Sequence, residues 1–137
     1  MADNDRSSFT GIVGVGIDLI VIQEIKELDE RTRRSFTDRT FTQNEKDEAE
    51  SLPDPYEYYS GRYAVKEAVY KAIASRCSEP FDFRMVETLS DADGKPHVTM
   101  NPEFRKVCED AGIKEILISI SHEGGFSIAI AEAVGER

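Results

Sequence analysis

Lys66, Glu67 and Lys71 stand within one stretch, Tyr59–Ala74, reading YSGRYAVKEAVYKAIA. Val65, Val69, Ala72 and Ile73 recur at i, i+4, i+7 and i+8, the stripe of a helix that turns toward a core. Ala64, Ala68, Ala72 and Ala74 add helix propensity and permit close packing. The opposite face then gathers Lys66, Glu67, Tyr70 and Lys71. A carboxylate between two ammonium groups suits a divalent metal and a phosphate. The plainer account is a solvated face with a Glu67–Lys71 pair one turn apart, worth roughly 0.3 kcal/mol. The stretch alone leaves both open.

The elements that must position these residues follow from the rest of the chain. Ile12, Val13, Val15 and Ile17, interrupted by Gly11, Gly14 and Gly16, read as a buried strand with close backbone approaches. Gly14-Val15-Gly16 lacks the third glycine of a dinucleotide fingerprint, and no lysine follows as in a phosphate-binding P-loop, so both are excluded. Asp18 closes the strand. There it can cap the segment 19–31, whose Ile22, Ile25 and Leu28 form a helical stripe, or hold a metal rigidly. Thr42-Gln43-Asn44-Glu45 is a capping box that predicts a helix over 43–52, with Glu45, Asp47, Glu48 and Glu50 on a solvated face. Pro53 and Pro55 end it, and the long helix runs from about Tyr56 to Arg76.

Segments 81–89 and 95–100 flank Asp91-Ala92-Asp93-Gly94 as a hairpin, and Pro102–Gly112 reads as a short helix. Ile116, Ile118 and Ile120 alternate strictly with Leu117, Ser119 and Ser121, and Gly124-Gly125 turns into a last strand over 126–133. The expected fold class is α+β, with antiparallel strands packed around one long helix. Residues 1–10 read as a mobile N-terminal tail and residues 11–137 as a single domain.

At 137 residues the chain is large enough for a core without staples. No apolar run approaches a membrane span, and the acidic, polar start is unlike a signal peptide. Cys77 and Cys108 lack metal or redox spacing, which predicts reduced cytoplasmic thiols; His97 and His122 are too few for a zinc site. A formal charge of −10 argues against non-specific nucleic-acid binding.

Taken in order, GVGIDLIVI (14–22), FTQNE (41–45), the K-E-A-x-x-K-A helix and ISISHEGGFSIAIA (118–131) form a set. It resembles the small holo-[acyl-carrier-protein] synthases, the short 4′-phosphopantetheinyl transferases, from about Gly14 to Val134. The resemblance implies transfer of 4′-phosphopantetheine from coenzyme A to a carrier-protein serine, with release of adenosine 3′,5′-bisphosphate. It implies magnesium held by Asp18 and Glu67. Glu67 and Lys71 would be catalytic, with Glu67 or a metal-bound water taking the serine proton. Arg62, Lys66, Lys71, Ser121 and His122 would contact the coenzyme. It also implies a role in fatty acid biosynthesis, an apo-acyl carrier protein as partner, a cytoplasmic setting and a homotrimer with sites between subunits.

Two departures from the family stand out. Ala74-Ser75-Arg76-Cys77-Ser78 replaces a Gly-Thr-Gly turn, leaving Arg76 as a substitute phosphate contact. Glu24 replaces the arginine of the carrier-docking helix. Four arginines against Asp38 make residues 31–39 locally +3, so docking is expected to have moved to Arg31, Arg33 and Arg34. The alternatives are a transferase dedicated to a specialised, polyketide-type carrier, or a non-catalytic coenzyme A-binding module.

Overall fold

The computed structural model describes residues 10–137, so the tail expected over residues 1–10 lies, except for Thr10, outside the described residues. Thr10 opens β1 (Thr10–Val21), which is followed by α1 (Ile22–Lys26), α2 (Glu30–Thr40), α3 (Gln43–Glu50) and the long α4 (Pro55–Ile73). A small hairpin, β2 (Thr88–Ser90) and β3 (Pro96–Val98), leads to α5 (Pro102–Asp110). β4 (Ile113–Glu123) and β5 (Phe126–Glu136) complete an antiparallel sheet ordered β1-β5-β4. This is the expected α+β arrangement.

Small residues bring α4 onto the sheet. A Cβ at Gly14 would lie 1.9 Å from the Ala72 carbonyl oxygen, and one at Gly16 would lie 1.8 Å from that of Ala68. Only glycine allows the helix backbone to rest on β1 in this way. Ala64, Val65, Ala68, Val69, Ala72 and Ile73 meet Ala129, Ala131 and Ala133 of β5 in the main core. Each fully buried valine or isoleucine there contributes about 1.5–3 kcal/mol.

The helix covers one face only, which corrects the expectation of a strand buried throughout. Ile12, Val15, Ile17 and Leu19 of β1, Leu117 of β4 and Phe126, Ile128 and Ile130 of β5 stay between 37% and 57% exposed. In register, Ile17 lies opposite Ile130 and Leu19 opposite Ile128, so these side chains share the outer face.

The chain after Asp18 also differs from expectation. β1 continues to Val21 because its pairing with β5 extends to Phe126, so Asp18 sits inside the strand rather than at its end. The cap falls to Asp29, whose carboxylate accepts from the Thr32 amide at 2.8 Å and starts α2. The capping box at Thr42 and Glu45 forms as expected and starts α3.

Candidate active site

The glycine contact sets Asp18 beside the last turns of α4. Lys71 Nζ donates to Asp18 Oδ1 at 2.9 Å and to the Ile17 carbonyl at 3.1 Å. Glu67 precedes Lys71 by one turn, and Tyr63 precedes Glu67 by one more. Burial raises the Tyr63 phenol to about 12, helped by its hydrogen bond to Glu67 and by the charges of Glu67 and Asp18. Tyr63 therefore stays protonated at neutral pH and donates to Glu67. Its ring is fixed edge-on by Phe36, with centroids 5.1 Å apart. The structure thus brings Asp18, Glu67 and Lys71 together from β1 and α4.

Two carboxylates on separate rigid elements fit magnesium, which takes one or two protein carboxylates and fills its octahedron with phosphate oxygens and water. Among the described residues no group of three or more His, Cys, Asp or Glu side chains forms a metal cage.

A cleft of about 450 Å³ opens beside the first turns of α4, lined among others by Pro53, Asp54, Arg62, Ser90, Pro96 and His122. Arg62 stacks 4.5 Å from the Tyr58 ring, donates to Ser90 Oγ at 3.0 Å and lies 3.6 Å from Glu48. Its Nε is the one buried side-chain nitrogen or oxygen without a partner among the described residues. Burial alone would raise the Glu48 carboxyl, but hydrogen bonds from Tyr58 and Ser90 and the Arg62 charge hold it below the usual value. It stays ionised and orients Arg62. His122 faces the same cleft with Nδ1 2.7 Å from Ser127 Oγ, and a Cβ at Gly61 would lie 2.7 Å from its Cε1. The bare glycine leaves room for the ring.

Other expected site residues lie elsewhere. Lys66 is 0% exposed, and its ammonium donates to Glu45 Oε1 at 3.0 Å and to the carbonyls of Phe83 and Val86 at 2.9 Å. It is not on the open face and has no donor left for the coenzyme. Glu45, expected on a solvated face, is its fully buried partner and also accepts from the Thr88 amide. Ser121 pairs with Ile128 on the outer face of the sheet, while His122 pairs with the buried Ser127 on the inner one. One copy of the chain does not bring Ser121 and His122 together. Arg33 donates to the carbonyls of Lys26 and Leu28 at 3.0 and 2.6 Å, closing the end of α1. Arg76 donates to those of Ala111 and Glu136, so it is not a phosphate contact here.

Arg31 and Arg34 do line one groove, together with Ser35, Asp38, Arg39 and Arg84. Arg39 belongs to the basic run already noted, but Arg84 had no sequence signal that would join it to α2. Nor did Tyr63 or Ser127, whose contacts to Phe36 and His122 reach across elements.

Residues 14–131 match the 4′-phosphopantetheinyl transferase superfamily, and the chain belongs to it. It is 36% identical over 124 residues to the holo-[acyl-carrier-protein] synthase of Desulforudis audaxviator, covering 90% of this chain and 94% of that one. In structure it resembles the holo-[acyl-carrier-protein] synthase of Neisseria meningitidis, with TM-score 0.79, 29% identity and coverage of 90% and 98%. It also resembles the holo-(acyl-carrier-protein) synthase of Bacillus anthracis in complex with CoA (3′,5′-ADP), with TM-score 0.71, 28% identity and coverage of 91% and 98%.

Proposed function

We propose that the chain transfers 4′-phosphopantetheine from coenzyme A to a serine of an apo-acyl carrier protein at a magnesium site made by Asp18 and Glu67. The observation that carries this is the convergence of Asp18, Glu67 and Lys71 in a member of the transferase superfamily. The cleft with Arg62 and His122 takes the nucleotide half of coenzyme A. Arg62 precedes Glu67 by five residues on α4, about 7.5 Å of axial rise, which suits a ligand whose diphosphate joins the two regions.

In the reaction the serine oxygen bonds to the β-phosphorus and the bond to the bridging oxygen breaks, releasing adenosine 3′,5′-bisphosphate. Magnesium, when bound by Asp18 and Glu67, supplies positive charge to the phosphate oxygens. Lys71, half exposed, is free to leave Asp18 and neutralise the leaving phosphate. Glu67, oriented by Tyr63, is the carboxylate placed to accept the serine proton.

The outer face of the sheet is the contact between three copies. Eight large apolar side chains there, from three adjacent strands, exceed what a soluble monomer scatters on its surface. Ser121 lies among them, so it reaches the coenzyme from a neighbouring copy. The carrier docks on the groove lined by Arg31, Arg34, Arg39 and Arg84, where Arg34 pairs with Glu30 and Arg84 with Asp82 in exposed ion pairs that an acidic partner can replace. Arg33, engaged by the Lys26 and Leu28 carbonyls, takes no part in docking. No described helix is long and apolar enough to cross a membrane. A cytoplasmic setting, serving fatty acid biosynthesis, accords with the two free cysteines.

The test is incubation of the protein with coenzyme A, magnesium and an apo-acyl carrier protein, read by mass spectrometry. A gain of one phosphopantetheine on the carrier is expected. An unmodified carrier at long times, across the host's apo-carriers, would overturn the proposal.

A further inference from the structure

Behind His122 lies a pair of buried hydroxyls that the transfer itself does not use. Ser60 Oγ is 2.9 Å from the Glu57 carbonyl and 2.6 Å from Ser127 Oγ, and Ser127 Oγ is 2.7 Å from His122 Nδ1. Both serines are 0% exposed. Each hydroxyl has one proton and a carbonyl has none, so the protons can be counted. Ser60 must donate to Glu57, because a carbonyl only accepts. Ser127 then donates to Ser60, and His122 must supply the last proton from Nδ1. The reverse order leaves two oxygens facing each other at the Glu57 end without a proton, away from water, which is unfavourable.

We propose that Ser127 and Ser60 are positioning residues that fix His122 as the Nδ1–H tautomer and so present Nε2 to the cleft; the functional half of this rests on reading that cleft as the coenzyme A site. The hydrogen bond on one ring nitrogen sets the state of the other. In the neutral ring Nε2 is an acceptor for a ribose hydroxyl or a protonated phosphate oxygen. In the charged ring it is a donor to a phosphate dianion, and Nδ1 keeps its proton in both. The His122–Ser127 pairing across the Gly124-Gly125 turn and the close seat of the ring against Gly61 hold it where this orientation counts.

Long-range proton–nitrogen correlation of the imidazoles in the 15N-labelled protein tests this, with His97 assigned from a His97→Gln variant. At a pH where the ring is neutral, Nδ1 of His122 should be protonated and Nε2 bare. Ser60→Ala removes the acceptor of the Ser127 proton, which then turns to Nδ1 and converts the ring to the Nε2–H tautomer without moving it. Ser127→Ala frees the ring. Both variants should raise the KM for coenzyme A by roughly three- to tenfold, the loss of one hydrogen bond, and leave that for the carrier unchanged. An Nε2–H tautomer in the wild type overturns the proposal, and that measurement needs no variant to fold. Unchanged coenzyme KM in both folded variants overturns the positioning role. Wild-type His122 signals that ignore added coenzyme A, with the expected tautomer in place, overturn instead the assignment of the cleft.

Discussion

Lys71 Nζ lies 2.9 Å from Asp18 Oδ1, joining the long helix to the first strand across 53 positions of sequence. The ammonium is the counter-charge of the carboxylate proposed to hold magnesium. Lys71→Met should lower kcat by about 100-fold, the scale of losing one group that stabilises transition-state charge. It should also let magnesium saturate at a several-fold lower concentration, since a like charge has gone. Steady-state rates across a magnesium series check both. A variant with unchanged kcat would remove Lys71 from the reaction.

Lys66 belongs to the core rather than the coenzyme. Lys66→Met leaves the Glu45 carboxylate buried and unpaired, which should cost about 3–5 kcal/mol in chemical denaturation. Adding Glu45→Leu should not restore wild-type stability. The Thr42 and Thr88 amides, which both donate to Glu45, would still lack partners. The fraction that folds should keep the wild-type KM for coenzyme A. A raised KM in folded protein would return Lys66 to the site.

Ile17 is 55% exposed in one copy, so a polar residue there does no harm to the protomer's own core. Ile17→Asp should give a folded monomer in sedimentation, with transfer reduced at least tenfold because sites between copies are lost. A monomer with full activity would contradict shared sites.

Arg33 and Arg34 are adjacent in sequence and separate in role. Arg31→Glu with Arg34→Glu should raise the KM for the carrier, leave that for coenzyme A unchanged, and lose its effect as salt screens the exposed charges. Arg33→Glu should instead lower the melting temperature, because it uncaps the carbonyls that close α1. Equal carrier defects from Arg33→Glu and the Arg31/Arg34 pair, at equal stability, would argue against this division.

These assignments show what was legible in the sequence. The placement of Glu67 one turn before Lys71 was, because helical spacing fixes it, and so was the close backbone approach at Gly14 and Gly16. The burial of Lys66 was not. The apolar stripe suggested a one-sided helix, whereas α4 is covered on further sides, with the 83–86 backbone folding over Lys66. The second oxygen of Glu45 finds the Thr88 amide, 43 residues away, beyond any local pattern. The separation of Ser121 from His122 was implicit in the alternation of β4, since neighbouring strand residues face opposite sides. Which side stays open depends on a single helix layer, and that is a tertiary fact.

The most direct measurement is transfer of phosphopantetheine to an apo-carrier by Asp18→Ala and Glu67→Ala, followed by intact mass in excess magnesium and again with chelator. Both side chains are only partly buried, so the variants should melt close to the wild type. The account predicts that each variant, and the wild type in chelator, leaves the carrier unmodified on the time scale of wild-type turnover. Near-normal transfer by either folded variant would contradict it.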